Sequence, residues 1–217
     1  MKVAALYDVH GMPWALEAVL ADVASEGVDA VVFGGDLVAG PFPAETWELA
    51  SAVSDAQFVR GNAERDPQPE VTAKLDPALV EEMRSWPASV ELDSVLYCHA
   101  APASDLDVIT DVTSDERLAE LLASTDAPLV VGGHTHMQQR RGRYVNAGSV
   151  GMPYEGDVAA FWLVVDDGEP SFMRTPFDVE HAIALLERAD WPAAAEFAAD
   201  NLRRAVSREE AIAVFGG

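Results

Sequence analysis

The first sixty residues alternate between short apolar runs and longer segments in which apolar residues recur every three or four positions. The runs at 2–7, 29–33 and 57–59 have the length and composition of buried strands. The intervening segments 13–25 and 43–54 each open on a proline, which is favourable in the first turn of a helix. The pattern predicts three strands joined by two helices.

The rest of the chain continues this alternation and then changes it. Further strands are predicted at 89–98, where Asp93-Ser94 can turn a hairpin, and at 128–131, 138–146, 158–165 and 170–175. Further helices are predicted near 77–86, 114–124, 178–189 and 192–205, and the segment 60–75 is predicted to be a loop. Strands that alternate with helices predict an α/β fold with a largely parallel sheet, and the consecutive later strands predict a second sheet or an antiparallel extension.

We therefore predict a two-sheet sandwich flanked by helices. Residues 1–217 are expected to form a single domain, because no linker rich in Pro, Gly or Ser divides them. The helices from about residue 176 are predicted either to cap a sheet or to form a dimer face, so a homo-oligomer is left open.

Short polar motifs follow five of the apolar runs. They are, in chain order, Asp8-Val9-His10, Gly35-Asp36, Gly61-Asn62, Cys98-His99 and Gly133-His134-Thr135-His136. Alone, each of the first four motifs is more often a turn or a core histidine, whereas Gly133-His134-Thr135-His136 is rarer. All five stand at predicted strand ends, where α/β folds bind ligands. Together they supply two aspartates, one asparagine and four histidines, which is enough to hold two metal ions.

The spacing within the motifs supports this interpretation. Asp8 and His10 lie two residues apart, and His134 and His136 repeat that spacing. In extended backbone such pairs face the same side, so both side chains can reach one ion. Carboxylate and imidazole ligands without a cysteine set suit Mn, Fe, Zn, Co or Ni. The remaining histidine, His181, falls in a predicted C-terminal helix and is interpreted as structural.

Composition limits the partners of such a site. The formal charge is −23, which argues against a nucleic-acid surface and against docking on anionic lipid. The apolar stretches are too short to span a bilayer, and the N-terminal residues lack a signal-peptide pattern. The single cysteine, Cys98, excludes an intramolecular disulfide and agrees with a reducing compartment. A cytoplasmic protein without membrane contacts is expected.

The ordered motifs resemble a known family, the calcineurin-like metallophosphoesterases, and within it the small bacterial and archaeal phosphodiesterase-like branch. The resemblance covers roughly residues 2–165. It rests on the blocks Asp8-Val9-His10-Gly11, Gly34-Gly35-Asp36, Arg60-Gly61-Asn62 and Gly133-His134-Thr135-His136. The segment Asn146-Ala147-Gly148-Ser149 is similar to an Asn-Pro-Gly-Ser segment of the family. The resemblance implies a four-layer αββα sandwich, in which two mixed β-sheets are flanked by helices.

The resemblance also implies a ligand set for two divalent metal ions. The first ion would be held by Asp8, His10, Asp36 and His136. The second ion would be held by Asp36, Asn62, His99 and His134, so Asp36 would bridge the two. The expected ions are Mn, Fe, Zn, Ni or Co, with manganese foremost.

The implied activity is metal-dependent hydrolysis of a small soluble phosphate ester, with phosphodiesters favoured. A metal-bridging hydroxide would attack phosphorus, and Asp36, Asn62 and His99 would act through it without any protein nucleophile. One alternative is a phosphomonoesterase or a dinucleoside polyphosphate hydrolase. Another is a non-catalytic metal-binding scaffold, as in the retromer subunit that shares the fold.

One position departs from the family pattern. Many relatives carry a histidine directly after the asparagine, whereas this chain has Ala63 there, followed by Glu64. Alanine cannot protonate a leaving group, so the route by which the leaving group departs is open and Glu64 is considered as an auxiliary group. Arg60 and Arg65 flank the motif and could touch a phosphate, but we interpret them as surface ion-pair partners.

Overall fold

The computed structural model describes residues 1–192 and 194–215. Its ten strands are β1 Lys2–Leu6, β2 Ala30–Phe33, β3 Ala56–Phe58, β4 Ser89–Leu92, β5 Val95–Cys98, β6 Leu129–Gly132, β7 Gln139–Arg141, β8 Tyr144–Asn146, β9 Ala160–Asp166 and β10 Glu169–Thr175. They form two five-stranded sheets, with the strand orders β10-β9-β1-β2-β3 and β4-β5-β6-β8-β7.

Helices flank both sheets. They are α1 Pro13–Glu26, α2 Pro43–Ser51, α3 Asn62–Arg65, α4 Pro69–Thr72, α5 Pro77–Ser85, α6 Asp115–Leu121, α7 Val179–Leu186, α8 Ala194–Ala198 and α9 Arg208–Phe215, with a π-helical segment at Ala199–Arg203 after α8. Prolines open α1, α2, α4 and α5, where the missing N–H costs nothing. Ser114 caps α6 by accepting a hydrogen bond from the Arg117 N–H.

The strand directions bring the motif-bearing strand ends together. In the first sheet β1 runs parallel to β2 and antiparallel to β9, and β2 runs parallel to β3. In the second sheet β5, β6 and β8 are parallel, while β4 and β7 form antiparallel edges. The carboxyl ends of the central strands therefore meet at one edge of the sandwich, and the predicted fold class is confirmed.

Apolar side chains fill the space between the sheets and beneath the helices. Tyr7 and Val32 of the first sheet pack with Tyr97 and Val131 of the second in one buried cluster. The Tyr7 hydroxyl donates a hydrogen bond to the Val131 carbonyl, at 3.0 Å, so this ring joins the two sheets. Outside the first sheet, Leu16 and Val19 of α1 pack with Trp162, and outside the second, Leu118 of α6 packs with Val130. These contacts define four layers.

The C-terminal segment covers the first sheet. Ala182 and Ile183 of α7, and Leu202 of the π-helical segment, belong to the same buried cluster as Leu16 and Trp162. Of the two roles considered for these helices, capping a sheet is therefore observed. The predicted helix 192–205 includes Ala193, which lies outside the described residues.

Three local predictions differ from the structure. The segment 60–75, predicted to be a loop, contains the one-turn helices α3 and α4, which are too short to show a helical period in the sequence. The segment 138–146, predicted to be one strand, is a hairpin of the two antiparallel strands β7 and β8, which turns at Gly142 and Arg143. The helix α9 was not predicted. None of the helices in the described part of the chain has the length and apolar character that a bilayer crossing requires.

Candidate metal centre

All five motifs meet at one edge of the sandwich. Asp8 and His10 follow β1, Asp36 follows β2, and Asn62 opens α3 after β3. His99 follows β5 in the second sheet, and His134 and His136 follow β6. The side chains come together because the parallel strands of both sheets end at this edge.

The backbone of these loops is not extended. The prediction that residues two apart face the same side because the chain is extended was therefore wrong. Asp8 and His10 have φ angles of 52° and 51°, and His134 and His136 have 67° and 58°. All four lie in the left-handed region, which is costly for residues other than glycine but is tolerated by Asp and His better than by most. Hydrogen bonds hold the loops in place: the N–H of His10 donates to the Asp36 carbonyl, at 2.9 Å.

A first cluster of metal-ligand atoms consists of Asp8, His10 and His136. The Nε2 atoms of the two histidines lie 3.1 Å apart. Asp8 Oδ1 lies 3.8 Å from His10 Nε2 and 3.4 Å from His136 Nε2. The Asp8 side chain is completely buried, and His136 is nearly so. One ion can touch all three side chains.

A second cluster consists of Asp8, Asp36 and His99. His99 Nε2 lies 3.7 Å from Asp36 Oδ1 and 4.0 Å from Asp8 Oδ1. The other Asp36 oxygen, Oδ2, lies 4.0 Å from His10 Nε2 in the first cluster. Asn62 Oδ1 lies 3.1 Å from His99 Nε2. Asp36 therefore faces both clusters with different oxygens, and Asp8 Oδ1 lies between them.

His134 stands slightly apart from the other predicted ligands. Its ring lies against that of His99, with centroids 5.2 Å apart, and it is partly exposed. Its backbone N–H donates to Asp8 Oδ2 at 2.8 Å. Among the described residues, the tight clusters of His, Cys, Asp and Glu atoms do not include its ring nitrogens. The structure thus places His134 next to the second cluster.

The hydrogen bonds of three imidazoles decide where their lone pairs point. Each places Nδ1 against a backbone carbonyl: His10 against Ala39 at 3.2 Å, His99 against Gly34 at 3.0 Å and His136 against Met152 at 2.7 Å. A carbonyl only accepts, so Nδ1 carries the proton and Nε2 presents its lone pair. These lone pairs face each other, Asn62 Oδ1 and the carboxylates. Asp8 Oδ1 is buried and has no hydrogen-bond partner among the described residues. Such a set of facing acceptors fits metal cations.

The ionisation states of Asp8 and His10 agree with those of metal ligands. Burial alone would raise the pKa of Asp8, but the neighbouring His136, His99 and His10 hold the pKa of its carboxyl well below the ordinary range. Burial and the nearby His136 lower the pKa of His10. Asp8 is therefore a carboxylate and His10 a neutral imidazole, the forms that coordinate metal. Burial lowers the pKa of His99, but the Asp36 and Asp8 carboxylates outweigh it and raise that pKa above its ordinary value.

Glu64 braces the site from behind. Its Oε2 accepts hydrogen bonds from the N–H groups of Asp36 and Gly61, and its Oε1 accepts one from Leu37, each at 2.8 Å. Burial and the nearby Asp36 carboxylate raise the pKa of Glu64 to about 7, and the N–H donors oppose this. Both oxygens are engaged by backbone, so Glu64 positions the loops that carry Asp36 and Asn62.

Other supporting groups were only partly visible in the sequence. Asn146, in the segment that resembles the family, donates to the Gly133 carbonyl at 2.6 Å, and the Ser149 hydroxyl donates to the Asp8 carbonyl at 2.7 Å. The carbonyls that orient the histidines leave no signal, because every residue has one. Tyr154 was also missed; its ring stacks on that of His136, with centroids 4.8 Å apart.

Arg60 and Arg65 border a cavity beside the centre. The cavity measures about 270 Å³ and is lined by both arginines, His99 and Asp105. Arg65 Nε lies 2.7 Å from Asp105 Oδ2, so the expected ion pair is present. Arg60 Nη1 donates to the Arg84 carbonyl at 3.0 Å.

The remaining candidates lie elsewhere. Cys98 is buried, and burial raises the pKa of its thiol to about 12, so it is protonated and is a core residue of β5. His181 is exposed on α7, away from the motifs.

The comparison with protein families agrees with this geometry. The model of the calcineurin-like phosphoesterase superfamily domain matches residues 1–167. The chain belongs to the calcineurin-like phosphoesterase superfamily. The resemblance drawn from the five motifs is confirmed, and the superfamily supports a hydrolase that cleaves phosphate esters with the help of divalent metal. No curated protein sequence matches the chain.

Several solved structures share the fold of this chain. A metallophosphoesterase from Sphaerobacter thermophilus aligns with a TM-score of 0.74 and 24% identity, covering 88% of this chain and 95% of that one. The hypothetical protein PH1004 from Pyrococcus horikoshii OT3 aligns with a TM-score of 0.71 and 16% identity, covering 91% and 97%. Vps29 complexed with Zn²⁺ from Entamoeba histolytica aligns with a TM-score of 0.50 and 16% identity, covering 82% and 100%.

Proposed function

We propose that this superfamily member is a phosphodiesterase with two metal ions, acting on a small soluble ester. The observation that carries the proposal is the pair of ligand clusters, one with His10 and His136 and one with His99, between which Asp8 and Asp36 are shared. A single-ion site would not need a carboxylate that faces two separate groups of imidazoles.

The ligand assignment follows the resemblance and the distances together. The resemblance assigns Asp8, His10, Asp36 and His136 to the first ion and Asp36, Asn62, His99 and His134 to the second. The distances support every one of these ligands except His134, whose ring only borders the second cluster. Divalent ions bound here, with manganese foremost, supply Lewis-acid activation of water and neutralise the charge of the phosphoryl group. The protein contributes rigid ligands, since each histidine in the clusters is held by a carbonyl and Asp36 by Glu64.

A preference for diesters is supported by space on two sides of the centre. The cavity with Arg60 and Arg65 opens beside His99, and a second cavity, of about 410 Å³, lies beside Tyr154 and Phe215. A phosphodiester carries two substituents and can place one on each side, whereas a monoester carries one. The charge of −23 disfavours nucleic acid as the substrate, and the single cysteine is in keeping with a cytoplasmic protein.

The test is a reconstitution experiment with a defined substrate panel. Metal is removed, and Mn, Fe, Ni, Co or Zn is restored before phosphomonoesters, phosphodiesters and dinucleoside polyphosphates are assayed. We expect hydrolysis of diesters to exceed that of monoesters. Asp36→Ala and His99→Ala should lose at least about 100-fold in kcat/KM, because each removes a ligand from the centre. His181→Ala, an exposed histidine on α7, is the matched control and should keep full activity.

Each other outcome points to a different function. Full activity of Asp36→Ala and His99→Ala would sink the two-ion mechanism. Faster turnover of monoesters or dinucleoside polyphosphates would assign the chain to that class of hydrolase. Stoichiometric metal binding without activity on any substrate would favour a metal-binding scaffold.

A further inference from the structure

The C-terminal helix α9 returns to the metal centre from outside the family domain. The family model ends at residue 167, and α9 begins at Arg208. The ring of Phe215, in its last turn, lies 6.4 Å from that of His134 and 6.3 Å from that of Tyr154, measured between centroids. Tyr154 in turn stacks on His136. Two aromatic rings therefore border the centre on one side.

Arg208 fixes this helix to the family domain. Its Nη1 donates to the Gln138 carbonyl and to Glu155 Oε2, each at 2.9 Å, and its Nη2 donates to Asp111 Oδ2 at 2.6 Å. Nearby, the Gly156 N–H donates to the Val206 carbonyl at 2.8 Å. The Arg208 guanidinium contacts three separate loops and so anchors α9, which places Phe215 beside the centre.

Apolar and polar side chains both line the cavity beside these rings. Its volume is about 410 Å³, and Met152, Tyr154 and Phe215 line it. Asn201 and Arg204 also line it, and Arg204 is paired with Glu210 at 2.7 Å. A cavity lined by aromatic rings and by hydrogen-bonding groups suits a flat group with a polar edge.

We propose that Tyr154 and Phe215 form a slot that binds a planar aromatic substituent of the phosphate ester, either an aryl ring or a nucleobase. The slot rests on the proposed function, since it takes the substituent of a phosphoryl group bound at the metal centre. A substituent that leaves the centre past His134 and His136 would meet these two rings, whose planes are inclined to each other at 46°. Aromatic pairs gain free energy from ring geometry beyond the area they bury, so an aromatic substituent is favoured over an alkyl one.

Ligand binding under conditions that prevent turnover tests the slot. Isothermal titration calorimetry of the Mn²⁺-loaded protein compares phenylphosphonate with methylphosphonate, which share the metal-binding group and differ in the ring. Adenosine 5′-monophosphate and ribose 5-phosphate form a second pair. They are measured with Ca²⁺-loaded protein, in which turnover is suppressed. We expect the aromatic member of at least one pair to bind about three- to tenfold more tightly. Tighter binding of the aromatic member of the first pair identifies an aryl group as the ligand of the slot. Tighter binding of the aromatic member of the second pair identifies a nucleobase.

Variants distinguish a specific loss of the slot from a general loss of stability. Phe215→Ala and Phe215→Leu should each reduce the aromatic preference to within about twofold, because neither offers a ring face. Arg208→Ala should do the same from outside the cavity by releasing α9. Phe172→Ala, an exposed phenylalanine on β10, and Arg117→Ala, an exposed arginine on α6, are the matched controls and should keep the preference.

The outcomes distinguish the slot from the proposed function. An aromatic preference that survives Phe215→Ala and Arg208→Ala overturns the slot, even if every variant hydrolyses diesters. A preference that depends on Phe215, in a protein that hydrolyses no ester, supports the slot and removes the proposed function. Equal affinity for both members of both pairs in the unaltered protein also overturns the slot.

Discussion

The Nε2 atoms of His10 and His136 lie 3.1 Å apart, although each imidazole already places its Nδ1 against a backbone carbonyl. With Nδ1 protonated, both Nε2 atoms present lone pairs to one another. Asp8 Oδ1 faces the same point and has no hydrogen-bond partner among the described residues. Acceptors that converge without a donor are costly when buried, so the folded protein should be markedly more stable with a cation between them.

The first prediction concerns removal of metal. Addition of Mn²⁺ at 100 times its Kd should stabilise the metal-free protein by about 2.7 kcal/mol, because the ion binds only the folded state. For a domain of this size that corresponds to an increase in Tm of about 5–10 °C, measured by differential scanning calorimetry against an EDTA-treated sample. His136→Ala should lose most of this increase and His181→Ala should keep it. An unchanged Tm would contradict the assignment of a metal centre.

Much of the centre could be predicted because strand ends are easy to recognise. Each motif follows a short apolar run, and parallel strands bring their carboxyl ends to one edge, so chain order alone places Asp8, Asp36 and His99 together. The same logic gave the two sheets. The prediction that the motifs meet did not depend on the backbone conformation of the loops. The extended geometry assumed for Asp8 and His10 was wrong.

The parts that could not be predicted depend on contacts between distant segments. The carbonyls of Gly34 and Met152 orient histidines, yet any residue supplies a carbonyl, so no side-chain pattern marks them. Phe215 lies beside His134 on a helix that Arg208 anchors to Asp111 and Glu155, which are far away in the sequence. The short helix α3 has a single turn, which is below the length at which apolar periodicity can be seen.

The second prediction tests Glu64 as a brace. Glu64→Gln keeps one carbonyl oxygen but turns an amide N–H₂ toward a backbone N–H that needs an acceptor. We expect a loss of about 1–3 kcal/mol in the free energy of unfolding, measured with urea, together with weaker Mn²⁺ binding. Glu120→Gln, on the exposed surface of α6, is the control and should stay within about 0.5 kcal/mol. Equal stability and metal affinity of Glu64→Gln and the unaltered protein would show that the three hydrogen bonds do not hold the loops.

The third prediction concerns the close approach of Gly61 to Asp36. The φ of Gly61 is −86°, which any residue can adopt, so space alone requires glycine here. A Cβ at this position would lie 2.3 Å from Asp36 Oδ1 and 2.6 Å from the Asp36 nitrogen. Gly61→Ala should therefore displace Asp36 and reduce Mn²⁺ affinity at least about tenfold, within the range expected when the support of a ligand is lost.

Gly142→Ala provides the comparison for Gly61→Ala. Gly142 has a φ of 58° and open space around its Cβ, so alanine there costs about 1–2 kcal/mol of backbone strain without touching the centre. Calorimetry should find unchanged Mn²⁺ affinity in Gly142→Ala despite its lower Tm. If both variants lose metal affinity equally, general destabilisation rather than displacement of Asp36 explains the result.

The fourth prediction concerns the missing proton donor at Ala63. The Ala63 N–H donates to Asp36 Oδ1 at 2.9 Å, so residue 63 lies at the edge of the centre. Ala63→His should raise the rate for diesters with alkyl leaving groups by at least about tenfold, because a general acid helps most where the leaving oxygen is basic. The rate for 4-nitrophenyl leaving groups, which depart without protonation, should change little.

The pH dependence identifies the cause of such a gain. An imidazole with an ordinary pKa of about 6.5 is an acid only below that pH, so the gain should be full at low pH and fall as the pH rises through about 6.5. Ala63→Gln, which adds a side chain of similar size that does not titrate, should show no such dependence. Ala63 also borders the small cavity that contains Val38 and Val71. Equal rates of Ala63→His and Ala63→Gln at every pH would show that a titrating side chain at residue 63 does not protonate the leaving group.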